Sequence, residues 1–391
     1  MTAETGTDGV TFAHPEATFD AADGAQMSAY ICQGCGAELM TEGTTTATEC
    51  PYCGSPAILP DRIEGGVKPE AVIPFTVTRE QAQKAFEDYF KGKRLLPNIF
   101  LNGRNRIAEM RKLYVPYWLF DCDASARIIY DAQKRHTERR GDWEITHIEH
   151  YVVRRDGDMA FEHIPVDGSE KLDNRITESL EPYDLSAAVP FSPAVLSGAL
   201  ADHADVDAAD CESRAKERVE SSIAEALRGT VNGYTSVTER NRYICTENGR
   251  ATPVLMPVWL ITTQKEGKTY TFAINGQTGK LTCDVPADKG KSLAWGGGVF
   301  AGVLALSALA LYLTENLASG TLLMCAVLAA IVAFAVLGAL RSQLRQAVHQ
   351  SDAEHYVKEG SFALRYDLDR FLYETTERRK LETQNKQDKT N

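Results

Sequence analysis

From Met1 through Asp61 the chain contains no lysine or arginine, and the first basic residue is Arg62. That absence carries two exclusions. A secretory signal needs a basic amino-terminal region and an apolar core, and MTAETGTDGVTFAHPEATFDAADGAQ has neither, so residues 1–26 are expected to form a flexible tail. Phosphate contacts need basic side chains, so whatever folds within this span makes a poor nucleic-acid ligand. It carries Glu4, Asp8, Glu16, Asp20, Asp23, Glu38, Glu42, Glu49 and Asp61 instead. No Gly-x-x-x-x-Gly-Lys-Ser/Thr loop occurs, which leaves nothing to cradle a nucleotide phosphate chain. No motif joins a nucleophile, a base and an orienting acid, and the chain reads as a non-enzyme. Charge is also scarce between Leu293 and Leu340, where Glu315 stands by itself.

What the chain does have is unevenly spread. Its 391 residues are enough for several units, and the formal net charge of −12 disfavours polyanion binding by the molecule as a whole. The nine cysteines do not suit a disulfide scaffold. Four are paired, while Cys122, Cys211, Cys245, Cys283 and Cys325 are scattered without a basic neighbour that would activate them.

The paired cysteines lie in ICQGCGAELMTEGTTTATECPYCGSP, as two Cys-x-x-Cys turns fourteen residues apart. Each turn aims two sulfurs at one ion, and the intervening stretch is long enough for one hairpin. Cys32, Cys35, Cys50 and Cys53 are therefore expected to hold one structural Zn2+, or iron in a rubredoxin-like site. Four thiolates close the coordination sphere, so such a site builds structure and leaves no open position for chemistry. A redox dithiol would need a single pair in a βαβ setting, which is not found here. The ribbon is placed at 27–60.

Segments 293–313 and 321–340 are each long enough to cross a bilayer as a helix. Trp295 and Tyr312 stand near opposite ends of the first, at the levels of an interfacial aromatic belt. Lys280, Lys289 and Lys291 precede this hairpin, Arg341 and Arg345 follow it, and the connecting loop has no basic residue. Both termini are expected in the cytoplasm, in an integral protein of the plasma (inner) membrane, with 341–391 as a cytoplasmic tail. Neither span has an ionisable residue, which favours an anchor over an ion path. Gly298 and Gly302 form a Gly-x-x-x-Gly that suits close helix packing.

Between ribbon and hairpin the sequence echoes itself. LYVPYWLFD (113–121) and VLMPVWLIT (254–262) align Pro116 with Pro257, Trp118 with Trp259 and Leu119 with Leu260. Amphipathic helical stretches (79–93 and 207–229) precede them and strand-like runs (126–133 and 268–276) follow. Two α+β units are expected, 67–165 and 166–288, each a helix laid on its own antiparallel meander. This pattern is loosely similar to PepSY-type modules. The fold class is thus multi-domain α+β: a four-cysteine ribbon, a duplicated helix-plus-meander domain and a two-span helical hairpin.

Other candidate chemistry is thin. His136, His147, His150 and His163 fall close together, but strand alternation puts His147 and His150 on opposite faces. The run KRHTERR (134–140) reads as a solvated hairpin edge. After the hairpin, 341–361 reads as a polar helix, SFALRYDLDRF as a half-buried strand and 378–391 as a loose end.

The four cysteines with CPYCGSP (50–56), VPFSPAVLSG (189–198) and MPVWLI with TYTFAINGQTGK (256–280) carry a resemblance. The chain resembles the TFIIB-type zinc-ribbon membrane proteins of Gram-positive bacteria, over nearly everything after residue 26. Such proteins are often labelled primosomal helicase-like, and some relatives are encoded beside SPFH-domain and PspA-type phage-shock proteins. The resemblance implies a scaffold that docks cytoplasmic or membrane-associated protein partners at the membrane in envelope stress. The alternatives are a nucleic-acid-binding ribbon protein or an accessory subunit of a membrane enzyme or transporter.

Overall fold

The computed structural model describes residues 12–13, 17–42, 49–55, 58–61, 66–98, 110–265, 268–313, 319–344 and 347–380. Residues 1–11 and 14–16, the inter-helix loop with Glu315, Arg345 and residues 381–391 lie outside that set. The rest of the expected amino-terminal tail is folded, with Phe12 and Phe19 buried in the core and Ala21–Gly24 helical. The described chain is a mixed α/β structure.

Its helices are α1 (Ala21–Gly24), α2 (Arg79–Phe90), α3 (Asn174–Ser179), α4 (Ala208–Gly229), α5 (Lys289–Leu313) and α6 (Ser319–Ser342). Its strands begin with β1 (Met27–Cys32), β2 (Glu38–Glu42), β3 (Ile58–Asp61) and β4 (Ala71–Val72). The long strands are β5 (Arg111–Arg140), β6 (Trp143–Asp167) and β9 (Ser236–Lys265). The rest are β7 (Val189–Pro190), β8 (Leu200–Asp202), β10 (Lys268–Asn275), β11 (Leu281–Cys283) and β12 (Ala363–Lys380). All twelve belong to one sheet. At its base the order is β11-β10-β9-β5-β8-β2-β1-β3. Farther along β5, β6 takes the place of β8 and β12 pairs with β6, so a four-stranded blade, β9-β5-β6-β12, continues outward.

Residue type explains where each face is covered. Leu113 through Phe120 is buried on both faces, as a continuous apolar run requires. Beyond it β5 alternates. Cys122, Ala124, Ala126, Ile128, Tyr130 and Ala132 turn to one face and are buried, while Asp123, Ser125, Arg127 and Asp131 turn to the other and are exposed. The buried face receives α4 through Cys211, Ala215, Val219, Ile223 and Leu227, a stripe at helical spacing.

β5 and β9 pair antiparallel, with Val115 opposite Met256, so the two Pro-x-Trp-Leu segments face each other. Their environments match. The Pro116 carbonyl accepts from Gly168 N (3.0 Å) and the Pro257 carbonyl from Gly276 N (2.8 Å). Trp118 Nε1 donates to the Val206 carbonyl (2.9 Å) and Trp259 Nε1 to the Val77 carbonyl (3.0 Å). Val206 and Val77 immediately precede Asp207 and Thr78, the N-caps of α4 and α2. Each helix is therefore pinned to the other segment's tryptophan. Here the structure departs from expectation. α2 packs through Ala82, Phe86 and Phe90 on Trp259, Ile261, Phe272 and Ile274, while α4 covers β5 and β6. α2 thus packs away from the β5 and β6 of its own unit, and α4 lies mainly on β5 and β6 and only at its margin on β9, because the residue before each N-cap is held by the opposite tryptophan.

Among the described residues the stretch after α6 has no α-helix beyond Ser342, and only Glu354–Tyr356 forms a short 3-10 turn. Its backbone is taken up by side chains of the body: Val348 N by Ser179 Oγ (2.8 Å), Gln350 N by Glu178 Oε2 (2.6 Å) and Ala353 N by Ser222 Oγ (2.6 Å). The fully buried Arg218 closes this junction, pairing with Glu181 (2.7 and 3.0 Å) and donating to the Asp352 carbonyl (3.0 Å). Tyr356 OH donates to the same Glu181 (2.8 Å). β12 is exposed along its whole length, not half-buried as its alternation suggests, because among the described residues no element covers that part of the blade.

α5 and α6 are long and apolar enough to cross a membrane. They turn Leu306, Leu309, Leu323, Ile331 and Phe334 outward, which a helix pair in a soluble core would not do. Their close approach is at Gly296, where an added Cβ would lie 2.7 Å from Leu337. Gly298 and Gly302 have open space around them, so the Gly-x-x-x-Gly pair does not pack the helices.

Candidate metal centre

β1 and β2 form a hairpin whose turn carries Cys32 and Cys35, and the loop before β3 carries Cys50 and Cys53. The two turns have the same construction. Gly36 N donates to the Cys32 carbonyl (2.8 Å) and Gly54 N to the Cys50 carbonyl (2.9 Å). Each then needs a left-handed residue, and Gly36 (φ 70°) and Gly54 (φ 71°) supply it.

The four sulfurs lie within 4.8 Å of one another. Cys32 Sγ is 3.6 Å from Cys53 Sγ, and Cys35 Sγ is 3.6 Å from Cys50 Sγ. A tetrahedral zinc–thiolate centre has sulfurs about 3.8 Å apart, given Zn–S bonds of about 2.3 Å. The cysteines fit such an ion in number, spacing and softness. Burial pushes the Cys35 thiol up to about 11 and the Cys50 thiol higher still. Burial also opposes ionisation of Cys32, but backbone N–H groups of Cys35 and Gly34 hold that thiol down to about 7. Among the described residues these four form the one group placed to hold a metal.

The centre is joined to the main sheet. β2 pairs with β8 (Leu39 opposite Asp202), and β8 runs parallel to β5 (Leu113 opposite Leu200). Tyr52, between the second pair of cysteines, is buried and donates to Asp202 Oδ2 (2.5 Å), which also accepts from Ser169 Oγ (2.6 Å). Burial raises the Asp202 carboxyl to about 7, against the lowering effect of those two hydroxyls. Burial pushes the neighbouring Asp167 well above the carboxylate range too. Asp167 Oδ1 accepts from Ser169 N (3.1 Å), and Asn275 Oδ1 accepts from Gln277 N (2.8 Å) at the matching turn after β10. Sequence reasoning missed this group. The echo of Val-Asp-Gly-Ser in Ile-Asn-Gly-Gln was the available signal.

The acidic surface expected of the ribbon is smaller than its composition suggests. Glu49 is paired with Arg111 of β5, Glu42 is half-buried and Glu38 is exposed, 3.8 Å from His203. The four histidines do not gather at one point, although His136 and His147 are cross-strand partners in the β5–β6 pairing. His147 bonds Glu374 (2.6 Å), while His150, on the opposite face, stacks on Tyr373 (4.5 Å). His136 lies near the exposed hairpin end, and His163 sits at the β5–β6 bulge, its N–H on Asp121 (2.6 Å). Among the scattered cysteines, burial raises Cys122 and Cys211 to about 12 and Cys283 to about 11, which keeps these thiols protonated.

Comparison with known proteins adds one relationship. The chain is 37% identical over 246 residues to a Bacillus subtilis (strain 168) protein described as "Uncharacterized protein YdjG", covering 63% of this chain and 72% of that one. No protein-family model matches, and no solved structure matches. The chain belongs to the same family as YdjG.

Proposed function

We propose that this member of the YdjG family is a non-enzymatic, zinc-bearing membrane anchor that docks cytoplasmic protein partners at the bilayer. One observation carries the reading: the chain before α5 and the chain after α6 are parts of one folded body. β12 pairs with β6 from Ala363 opposite Asp158 to Lys380 opposite Trp143. A two-span hairpin leaves its flanks on one side of the membrane, as that pairing requires. The basic residues flanking the spans support the cytoplasmic side.

In this reading Cys32, Cys35, Cys50 and Cys53 hold one structural Zn2+, which stiffens the β8-β2-β1-β3 end of the sheet. The chain is then a relative of the TFIIB-type zinc-ribbon membrane proteins, and its two Pro-x-Trp-Leu units are a duplication whose helices are exchanged. The docking surface is the blade and not the ribbon, whose Glu49 is already engaged by Arg111. Among the described residues β12 pairs only with β6 and leaves its other edge of backbone N–H and C=O groups unpaired, with Leu368, Phe371, Leu372 and Tyr373 40–54% exposed beside it. The occupant assigned to it is an extended strand of a partner protein, added to the sheet. SPFH-domain and PspA-type proteins stand as partner classes on the resemblance alone.

Deleting residues 293–340 tests this. The shortened protein is expected to fold, keep its zinc and still capture the partner crosslinked to the full chain, while the partner leaves the membrane fraction. A partner that stays membrane-bound without the hairpin, or ATP hydrolysis stimulated by DNA, would overturn the anchor reading.

A further inference from the structure

The loop after α2 reaches the foot of the helical hairpin. Asp288 N donates to the Leu95 carbonyl (2.8 Å), and Lys291 Nζ, in the first turn of α5, donates to the Leu96 carbonyl (2.6 Å). On the other helix, Lys93 Nζ donates to the Gln343 carbonyl just past α6, and Tyr89 OH reaches the same oxygen (3.4 Å). The Arg94 guanidinium lies 4.5 Å from the ring centre of Trp295. A segment of the soluble body thus bridges both feet of the hairpin.

The bridge gathers positive charge. Lys91, Arg94, Lys289 and Arg341 are exposed, and Lys93 and Lys291 are half-buried with donors to spare. The acids at this level are Glu87 and Asp88 in the last turn of α2, with Asp88 paired to Lys91, Asp284, close enough to act on Tyr89, and Asp288, whose carboxylate accepts from Lys291 N (2.9 Å). Among the described residues, six cations against four acids is a local reversal in a chain of net charge −12. Trp295 sits among them, and an indole held at the mouth of an apolar helix marks the headgroup level of a bilayer.

We propose that this collar binds anionic phospholipid headgroups, so that the soluble body rests on the membrane surface through Lys91, Lys93 and Arg94. The proposal rests on the reading of α5 and α6 as membrane spans. Guanidinium and ammonium groups are suited to phosphate oxygens, and each basic residue near an anionic surface favours binding by about fivefold. Contact through the collar holds the blade in a set direction. Its tip at Arg140–Trp143 stands a strand length of about 100 Å from the other end of β5, at about 3.3 Å per residue.

The test uses the full chain reconstituted in vesicles, with brominated phosphatidylglycerol or brominated phosphatidylcholine as quencher of Trp295 and a Trp295→Phe protein as blank. The wild type is expected to prefer phosphatidylglycerol by about tenfold, as two or more of these contacts would give. Lys91→Gln/Lys93→Gln/Arg94→Gln should bring the ratio close to one, while Lys91→Arg/Lys93→Arg/Arg94→Lys should keep it. Molar salt should erase the preference in the wild type, whose fold is unaltered. Equal quenching of the wild type by both lipids would overturn the collar proposal. So would loss of the preference in millimolar inorganic phosphate, which would make the ligand a free anion. If neither lipid quenches Trp295, the reading of the helices as spans fails first.

Discussion

β5 and β9 each pass through two environments. Around Val115 and Met256 both faces of the sheet are packed and these residues are fully buried. Farther out one face is covered by α4, and beyond Ala132 the strands stand in the open. The reason is a mismatch of length. α4 has 22 residues and is about 33 Å long at 1.5 Å per residue. β5 has 30 residues and runs about 100 Å at 3.3 Å per residue. One helix cannot cover such a strand. The base is packed on both faces, and the outer blade is left exposed.

The largest effect that would test this contrast is loss of metal at the base. Cys35→Ser or Cys53→Ser is expected to abolish the single zinc, whose binding in small sites contributes about 10–16 kcal/mol of folding free energy. Because β2 pairs with β8, hydrogen exchange should quicken across Leu200–Asp202 as well as within 27–60, while Arg127–Gln133 in the blade stays protected. Full zinc occupancy in the double variant would refute the site, and uniform exchange throughout the sheet would refute the contrast.

A smaller effect should appear with pH. The folded pKa of Asp202 is raised from 3.8 to about 7, so the folded protein binds a proton that the unfolded chain has released. Its stabilising contribution is complete below pH 3.8 and is lost as pH rises towards 7, at up to about 1.4 kcal/mol per unit. Asp202→Asn should flatten that part of the stability profile. Thermal melting from pH 4 to 7.5, with metal held saturating, measures it. A profile unchanged by the substitution would mean that Asp202 is ionised throughout.

The sequence showed those features whose partners are close in the chain or repeated. The four cysteines were legible because two short turns make the site. The Pro-x-Trp-Leu echo was legible by identity, but the exchange of helices was not, since Trp118 bonds Val206 and Trp259 bonds Val77, far away in the chain. Tyr52 gave no signal between its two cysteines, because its role depends on Asp202, which belongs to a strand 150 residues later. Gly298 and Gly302 matched a packing motif, yet the helices touch at Gly296. Spacing marks which residues share a face and is silent on what lies against it. The apolar alternation of β12 was misread for the same reason.

The smallest expected effect makes the sharpest comparison. Met256 in β9 and Leu368 in β12 are both strand residues of this sheet, with Met256 buried and Leu368 40% exposed. Met256→Ala should cost about 2–5 kcal/mol, the range for a large core side chain cut to alanine. Leu368→Ala should change stability by no more than about 0.5 kcal/mol, because an exposed side chain leaves no cavity behind. Urea melts of the two variants decide the matter, and comparable losses would mean that the blade is covered in solution by something that belongs to its fold. If the difference holds, Leu368 has no structural use that explains it, and a long strand edge lined with such residues is a liability unless it is used. Leu368→Lys with Leu372→Lys should then leave the melting curve in place and remove partner crosslinking from membranes. Unaltered crosslinking in that variant would move the docking surface off β12 while leaving the contrast between base and blade intact.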